Sequence, residues 1–301
     1  MNASIEIRHG DTHARILPGT GFSCDSFQVD GFDYLHRPPD WPATPTHGGI
    51  PVLFPWPNRI AHASFTWEGR SYALPVTEQS TGASLHGFAC HAPWRVLDAQ
   101  ADQVTGEFVL SRDAPELASA WPADAALRLT YRVGERRLTA EATVYSADRR
   151  PLPFGLGFHP YLRVPGAFDQ WTLQCDAGLA WPLSGMVPTG SATPVPPRVD
   201  FRQGRPIGGE HLDDVLTGLP AATSMTRRAE LASPDAVVRV WSDPAFQDYV
   251  LFTPTSRDAV AIEPYTCTTD AANLSAQGIE NGWRTLPGDE QAHFEWRLDV
   301  G

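Results

Sequence analysis

Residues 126–145, ALRLTYRVGERRLTAEATVY, decide the fold class of this chain. Apolar side chains occupy every second position on both sides of the Gly134 turn: Leu127, Leu129, Tyr131, Val133, Leu138, Ala140, Ala142 and Val144. Alternation with a period of two is typical of a β-hairpin in an antiparallel sheet that buries one face. The stretch therefore predicts an all-β architecture.

The same pattern recurs along most of the chain. Two further hairpins are predicted around Asp30-Gly31 and Glu68-Gly69, and helical periodicity is confined to one or two turns at Ala114–Ala120. Single strands are predicted at Ile5–His9, Ala14–Leu17, Trp171–Cys175, Val237–Trp241, Tyr249–Thr253, Val260–Glu263 and Phe294–Val300. We interpret the chain as one large antiparallel β-sandwich domain, residues 1–301, in which Pro182–Pro206 is a long loop.

The overall charge narrows the possible partners. A formal net charge of −12 argues against nucleic acid and against anionic membrane surfaces, because both require a basic face. The sequence has no apolar run long enough to span a membrane, and its start lacks the apolar core of a secretory signal, so we expect a cytoplasmic protein. Four widely spaced cysteines suit a reducing compartment, although two long-range disulfides remain open, and nothing indicates the oligomeric state.

Several polar side chains stand where predicted strands end. His159 lies in Gly155–Tyr161 between glycines and a proline, and imidazole titrates near neutral pH. Glu263 follows Val260-Ala261-Ile262, so we expect it to be partly buried, with a raised pKa that makes it a usable base. Taken singly, each has an ordinary structural reading: a lone histidine among apolar residues is more often a satisfied structural group.

Six motifs occur in a fixed order from about Gly48 to about Asn273. They are GGIPVLFPWPNRI (48–60), LHG (85–87), GFHPY (157–161), LDDVL (212–216), PAFQDY (244–249) and IEPYT with TDAANL (262–274). This ordered set resembles the aldose 1-epimerase, or galactose mutarotase, family. The resemblance implies a large antiparallel β-sandwich that interconverts the α and β anomers of a small free sugar without a cofactor or a metal.

The resemblance also implies roles for individual residues. His159 matches the general acid that protonates the ring oxygen, and Glu263 matches the base that takes the proton of the C1 hydroxyl. Asp213 matches an aspartate that holds ring hydroxyls, although the adjacent Asp214 leaves that register open. The full set of substrate-binding residues implied is Asn58, Arg59, His86, Tyr161, Asp213 and Gln247.

Four other readings compete with this one. A metal enzyme is disfavoured because the histidines and carboxylates are far apart in sequence, and a glycosidase would want a second carboxylate facing Glu263. A non-catalytic carbohydrate-binding protein would not need His159 and Glu263 together. A hexose-6-phosphate 1-epimerase is the fourth reading.

The phosphate branch of the family carries an arginine where this chain has Cys90 in HGFAC. A thiol provides neither the charge nor the donors that bind a phosphate, so the predicted substrate is an unphosphorylated aldose. Arg70, Arg95 or Arg163 could still supply the missing cation. The sequence does not identify which aldose is bound.

Overall fold

The larger of two extended sheets contains the hairpin that predicted the fold class. The computed structural model describes residues 4–301, and in it Ala125–Gly134 and Arg137–Ser146 pair antiparallel across the turn, with Val133 opposite Leu138. The nine strands lie in the order Arg95–Ala99, Gln103–Val109, Ala125–Gly134, Arg137–Ser146, Gln291–Val300, Val237–Ser242, Thr226–Ala232, Thr172–Cys175 and Arg205–Pro206. The all-β prediction is confirmed.

An eight-stranded antiparallel sheet forms the second layer. Its main path runs through Thr193–Pro194, Leu179–Ala180, Asp213–Thr217, Asp248–Phe252, Val260–Tyr265, Gly157–Phe158 and Val52–Leu53. The eighth strand, Tyr161–Leu162, also pairs with Val260–Tyr265, which is therefore central in this sheet.

Smaller elements cover the edges of the two large sheets. A four-stranded sheet consists of Ile5–His9, Thr12–Leu17, Ser23–Val29 and Phe32–Asp33. Two-stranded pairs join Leu152–Phe154 with Arg284–Leu286, Leu183–Ser184 with Val187–Pro188, Arg59–Ile60 with Ser84–Leu85, and Ser64–Trp67 with Arg70–Ala73. The helices are short: α-helices at Leu110–Asp113 and Ala271–Ala276, and 3₁₀ turns at Ala61–Ala63, Pro115–Ala120, Phe168–Gln170 and Pro197–Val199.

The two large sheets pack face to face through apolar side chains. Phe158 of the eight-stranded sheet contacts Trp296 of the nine-stranded sheet, with ring centroids 5.1 Å apart. The Tyr249 hydroxyl donates a hydrogen bond of 2.8 Å to Ser242 Oγ across the same interface, so its buried polar atom is satisfied. The aligned layers make a β-sandwich with a continuous buried core.

Strand alternation decides what the outer face of the eight-stranded sheet presents. In Asp248–Phe252, Tyr249 and Leu251 belong to the core between the sheets, so Val250 and Phe252 point to the other face. In Val260–Tyr265, Ile262 points into the core and Glu263 points outward with Val250 opposite it. The Glu263 carboxyl group is thereby placed on the outer face of this sheet, beside Val250.

Three details differ from, or add to, the sequence prediction. Pro264 does not end the strand after Glu263; the strand continues to Tyr265 because Pro264 pairs with Tyr249 without donating an N–H to the ladder. The stretch Pro182–Pro206 carries four two-residue strands and one 3₁₀ turn. All four cysteines are buried and free.

Within residues 4–301, no helix has both the length and the apolar character to cross a membrane.

Candidate active site

A pocket of about 210 Å³ opens on the outer face of the eight-stranded sheet, and we call it the Glu263 pocket. It is smaller than the roughly 300–1,000 Å³ usual for drug-sized ligands, which suits a single small molecule. Its walls come from strands and loops that are far apart in sequence: Thr46, His47, Asn58, Arg59, Glu78, Leu85, His86, His159, Tyr161, Asp213, Val250, Phe252 and Glu263.

His159 and Glu263 meet at the bottom of this pocket. The distance between His159 Nε2 and Glu263 Oε1 is 3.4 Å, and both side chains are almost fully buried. The Tyr265 hydroxyl donates a hydrogen bond of 2.5 Å to Glu263 Oε2, which fixes the carboxyl group from behind. Gly157 makes this arrangement possible, since a Cβ there would lie 2.5 Å from the Tyr265 ring.

Burial acts in opposite directions on the two groups. It raises the pKa of the Glu263 carboxyl well above its usual range, and the hydrogen bond from Tyr265 offsets only part of this effect. Burial lowers the pKa of the His159 imidazole, since the charged ring loses its solvation. The empty pocket therefore favours an uncharged pair, with one proton on Glu263 and a neutral imidazole.

Two aromatic rings hold His159 in place. The Tyr161 ring stacks on the imidazole at a centroid distance of 4.5 Å, and its hydroxyl donates to the Thr46 carbonyl at 2.9 Å. Phe252 presents its edge to the same imidazole at 6.1 Å. The orientation of His159 is therefore set by packing as well as by its backbone, which follows the strand Gly157–Phe158 and donates its N–H to the Pro51 carbonyl.

His86 faces His159 across the pocket, with ring centroids 5.5 Å apart. His86 and the following Gly87 both have positive φ, and a Cβ on Gly87 would come within 2.2 Å of the Phe54 carbonyl oxygen. Glycine is thus required in the LHG motif, where the chain crosses closely over Phe54. Burial also lowers the pKa of His86, so this imidazole is neutral at pH 7.

Arg59 enters the pocket as one half of an ion pair with Glu78. Its Nε and Nη2 donate to the two Glu78 carboxylate oxygens at 2.7 and 2.6 Å, while Nη1 donates to Asn58 Oδ1 at 3.1 Å. Asn58 Oδ1 also accepts a hydrogen bond of 2.9 Å from Thr269. This bidentate geometry holds the guanidinium rigidly and cancels its charge.

Asp213 and Asp214 point to opposite sides of their strand. Asp213 lines the mouth of the Glu263 pocket, opposite Phe252, whereas Asp214 forms an ion pair with Arg198. Asp213 retains exposed surface. Partial burial of its carboxyl group nevertheless raises the pKa of that group, and the positive charge of Arg59 opposes this effect. The geometry thus places Asp213, not Asp214, in the pocket.

Gln247 is the one predicted site residue that the structure leaves outside the pocket. It precedes the strand Asp248–Phe252, and only Val250 and Phe252 of that segment reach the pocket. The Gln247 side chain lines a different cavity, while its backbone N–H donates to the Tyr265 carbonyl. The strand contributes an apolar wall instead of an amide. The other predicted residues all line the pocket: Asn58, Arg59, His86, His159, Tyr161, Asp213 and Glu263.

Sequence reasoning missed Glu78, His47 and Thr46. Glu78 lies in an irregular segment with no pattern to mark it, and only the folded chain brings it to Arg59. His47 had a weak signal, because it directly precedes the Gly48-Gly49 motif. Among residues 4–301, the lining of the Glu263 pocket includes none of the three arginines that could have supplied a cation: Arg70, Arg95 and Arg163.

Residues 4–301 contain no cluster of three or more His, Cys, Asp or Glu side chains arranged to hold a metal ion. The groups that converge in the pocket are instead an acid–base pair, hydrogen-bonding groups and aromatic rings, which are suited to proton transfer on a polar ring.

This chain is similar in sequence to known proteins. The family model for aldose 1-epimerase matches residues 4–297. The uncharacterized protein YihR of Escherichia coli (strain K12) is 26% identical over 281 residues, covering 90% of this chain and 86% of YihR.

Solved structures show the same fold. A galactose mutarotase-like protein from Clostridium acetobutylicum superposes with a TM-score of 0.89 at 20% identity, covering 99% of this chain and 95% of that one. A galactose 1-epimerase from Lactobacillus acidophilus superposes with a TM-score of 0.80 at 14% identity, covering 99% and 94% of the two chains. At these identities the likeness concerns the fold.

Proposed function

Because this chain belongs to the aldose 1-epimerase family, we propose that it is a mutarotase that interconverts the α and β anomers of a free aldose. The observation that carries the proposal is the buried His159–Glu263 pair, 3.4 Å apart at the bottom of a pocket that holds one small molecule. The hydrogen-bonding groups around the pair, Arg59, His86 and Asp213, suit the hydroxyl groups of a sugar ring.

The proposed reaction moves two protons. Glu263 takes the proton of the C1 hydroxyl while the C1–O5 bond breaks and His159 protonates O5, giving the open-chain aldehyde. Rotation about C1–C2 presents the other face of the aldehyde, and ring closure returns both protons along the reverse path. These transfers balance without a metal or a redox cofactor.

The substrate must place the pair in its working protonation state. The uncharged pair favoured by burial has its proton on Glu263, whereas the proposed roles need a Glu263 carboxylate and a protonated His159. Sugar hydroxyls that donate hydrogen bonds to a carboxylate favour its charged form. We therefore assign to the bound sugar the shift of one proton from Glu263 to His159, with no change in the total charge of the pair.

Charge in the pocket supports a neutral sugar over a sugar phosphate. Arg59 is the only arginine or lysine lining the pocket among residues 4–301, and Glu78 already neutralises it. Asp213 and Glu263 add two further carboxyl groups. A phosphate dianion would find no free guanidinium here, which disfavours the hexose 6-phosphate alternative.

Polarimetry of freshly dissolved α-D-glucose and α-D-galactose tests the proposal. The protein should accelerate the approach to the anomeric equilibrium, and His159→Ala and Glu263→Gln should each reduce the rate by at least about 10²-fold while the protein stays folded. Glu68→Gln and His13→Ala, at exposed positions away from the pocket, are the matched controls. Sugar binding without any acceleration would identify a carbohydrate-binding protein instead.

A further inference from the structure

A second cavity, of about 460 Å³, lies beside the start of the strand Asp248–Phe252. We call it the Arg228 cavity, after the buried arginine in its wall; Trp181, Gln247 and Asp248 also line it. It shares no lining residue with the Glu263 pocket, so the proposed sugar chemistry does not account for it.

Arg228 reaches this cavity because its strand contains a β-bulge. The pairing of Thr226–Ala232 with Val237–Ser242 shifts between Arg227 and Ala229, which leaves Arg228 as the extra residue. As a result Arg228 and Ala229 are both buried, although consecutive side chains of a regular strand point to opposite faces. Bulges often re-aim a side chain towards a functional site.

The Arg228 guanidinium has no counter-ion among residues 4–301. The neighbouring Arg227 is paired with Glu230 at 3.0 Å, but Arg228 forms no such ion pair and is only 3% exposed. Its Nη1 donates to the Pro220 carbonyl at 2.7 Å, and its Nε is buried without a partner. A buried charge normally has an ionic partner, because desolvation otherwise destabilises it.

The remaining guanidinium nitrogen suggests which ion is missing. Nη1 is engaged by a backbone carbonyl and Nε is enclosed by protein atoms, so Nη2 is left to donate a charge-assisted hydrogen bond, which a carboxylate accepts. Leu179, Leu219 and Phe246 provide apolar surface in this cavity. Gln247 provides an amide that can form hydrogen bonds with polar groups on the rest of the ligand.

Nearby acids favour a single negative charge on the ligand. Glu280 also lines the cavity, and burial raises the pKa of Asp248 to about 7, so part of Asp248 is ionised at neutral pH. A dianion such as phosphate would be repelled more strongly by these groups than a monoanion.

We propose that the Arg228 cavity binds a small organic monocarboxylate, which accepts a hydrogen bond from Arg228 Nη2 and supplies the counter-ion of the guanidinium. The site is separate from the Glu263 pocket, and it would stand if the protein acted on no sugar at all.

Titration calorimetry with D-gluconate, a hydroxylated monocarboxylate, tests the proposal. Wild-type protein should bind gluconate with a Kd in the millimolar range or tighter, and Arg228→Met should weaken binding by at least about tenfold. Arg228→Lys keeps the charge but not the planar guanidinium or the position of Nη2, so it should restore only part of the affinity. Arg95→Met, at an exposed position outside both cavities, is the matched control.

Two further variants separate the possible results. Ala222→Trp fills the cavity without altering Arg228, so it should also abolish binding, and it decides the matter if Arg228→Met does not fold. Arg59→Met should retain gluconate binding, because Arg59 lines only the other pocket. Three results would each overturn the proposal: no gluconate binding by wild type, equal binding by Arg228→Met, or a preference for inorganic phosphate. The first of these would indicate a cavity filled by water only.

Discussion

Arg59 and Arg228 are two arginines withdrawn from bulk solvent, each in the wall of a cavity, and they differ in what holds them. Arg59 has a permanent bidentate partner in Glu78, and its third nitrogen is bound to Asn58. Arg228 has one hydrogen bond to a backbone carbonyl and no carboxylate partner among the described residues. The guanidinium therefore has an ionic partner within the protein in one cavity and lacks one in the other.

The difference in pairing between the two arginines affects which charge of ligand each cavity favours. A guanidinium paired within the protein offers directed N–H donors without net charge, which suits the hydroxyl groups of a neutral sugar. A guanidinium without a partner favours a ligand that brings the missing negative charge. Substitutions of Arg59, Glu78 and Asp248 test this contrast between the paired and the unpaired arginine.

Removing the paired arginine should give the largest effect. We expect Arg59→Met to reduce kcat/KM for aldose anomerisation by roughly 10²-fold, because it deletes donors in the pocket and leaves the Glu78 carboxylate unpaired. Exchange NMR on an equilibrated sugar measures the rate, and Arg95→Met serves as a control. Rates close to wild type would mean that Arg59 only stabilises the loop around Glu78.

Asp248, which lines the Arg228 cavity, allows a test of whether that cavity lacks a negative charge of its own. Burial raises the pKa of Asp248 to about 7, above its value of about 3.9 in an unfolded chain, so the folded state binds this proton more tightly. The resulting stabilisation is fully present below about pH 4 and is lost as the pH rises towards about 7. Asp248→Asn should remove this dependence, which amounts to roughly 1 kcal/mol per pH unit in that window.

Urea unfolding of wild type and Asp248→Asn at about pH 5, 6 and 7 measures this effect, since the difference between the two isolates one group from the other acids. Parallel pH profiles would show that Asp248 is already ionised in the folded protein. In that case Asp248 could act as a counter-ion for the cavity, and the contrast between the two arginines would weaken.

Breaking the ion pair without removing Arg59 should give the smallest effect. Glu78→Gln keeps one acceptor for the guanidinium but restores its charge, so KM for a neutral aldose should rise about fivefold with kcat nearly unchanged. Inhibition by D-glucuronate should become stronger in the same variant, because a free cation attracts the carboxylate. Glu68→Gln, in an exposed turn, is the control; unchanged inhibition would show that Glu78 does not set the charge preference.

The sequence predicted local structure well because the strands carry their own signal. The period-two pattern of residues 126–145 depends only on which face is buried, and the observed pairing of Val133 with Leu138 follows from it. Glu263 could likewise be predicted to be buried from its apolar neighbours, and it is 1% exposed. The extent of the strand beyond Pro264 could not be predicted, because it depends on the partner strand.

The rest of the candidate site depends on contacts between distant segments. Glu78 lies in an irregular segment and is identified only by its contact with Arg59. The sequence predicts that Gln247 binds the substrate, but the segment that follows it gives the Glu263 pocket Val250 and Phe252 instead. Arg228 has no sequence signal at all, since a bulge is specified by the pairing of two strands and not by one of them.

The strand Gln291–Val300 lies in the middle of the nine-stranded sheet, between Arg137–Ser146 and Val237–Ser242. During synthesis, about 150 residues separate the first of these strands from the one that must pair with it. A nascent chain on the ribosome therefore keeps the facing edges of two strands unpaired until residue 300 has emerged, and such edges invite association with other chains. Completion of this sheet therefore waits for the strand Gln291–Val300, and until that strand has emerged the two facing edges can pair with other chains.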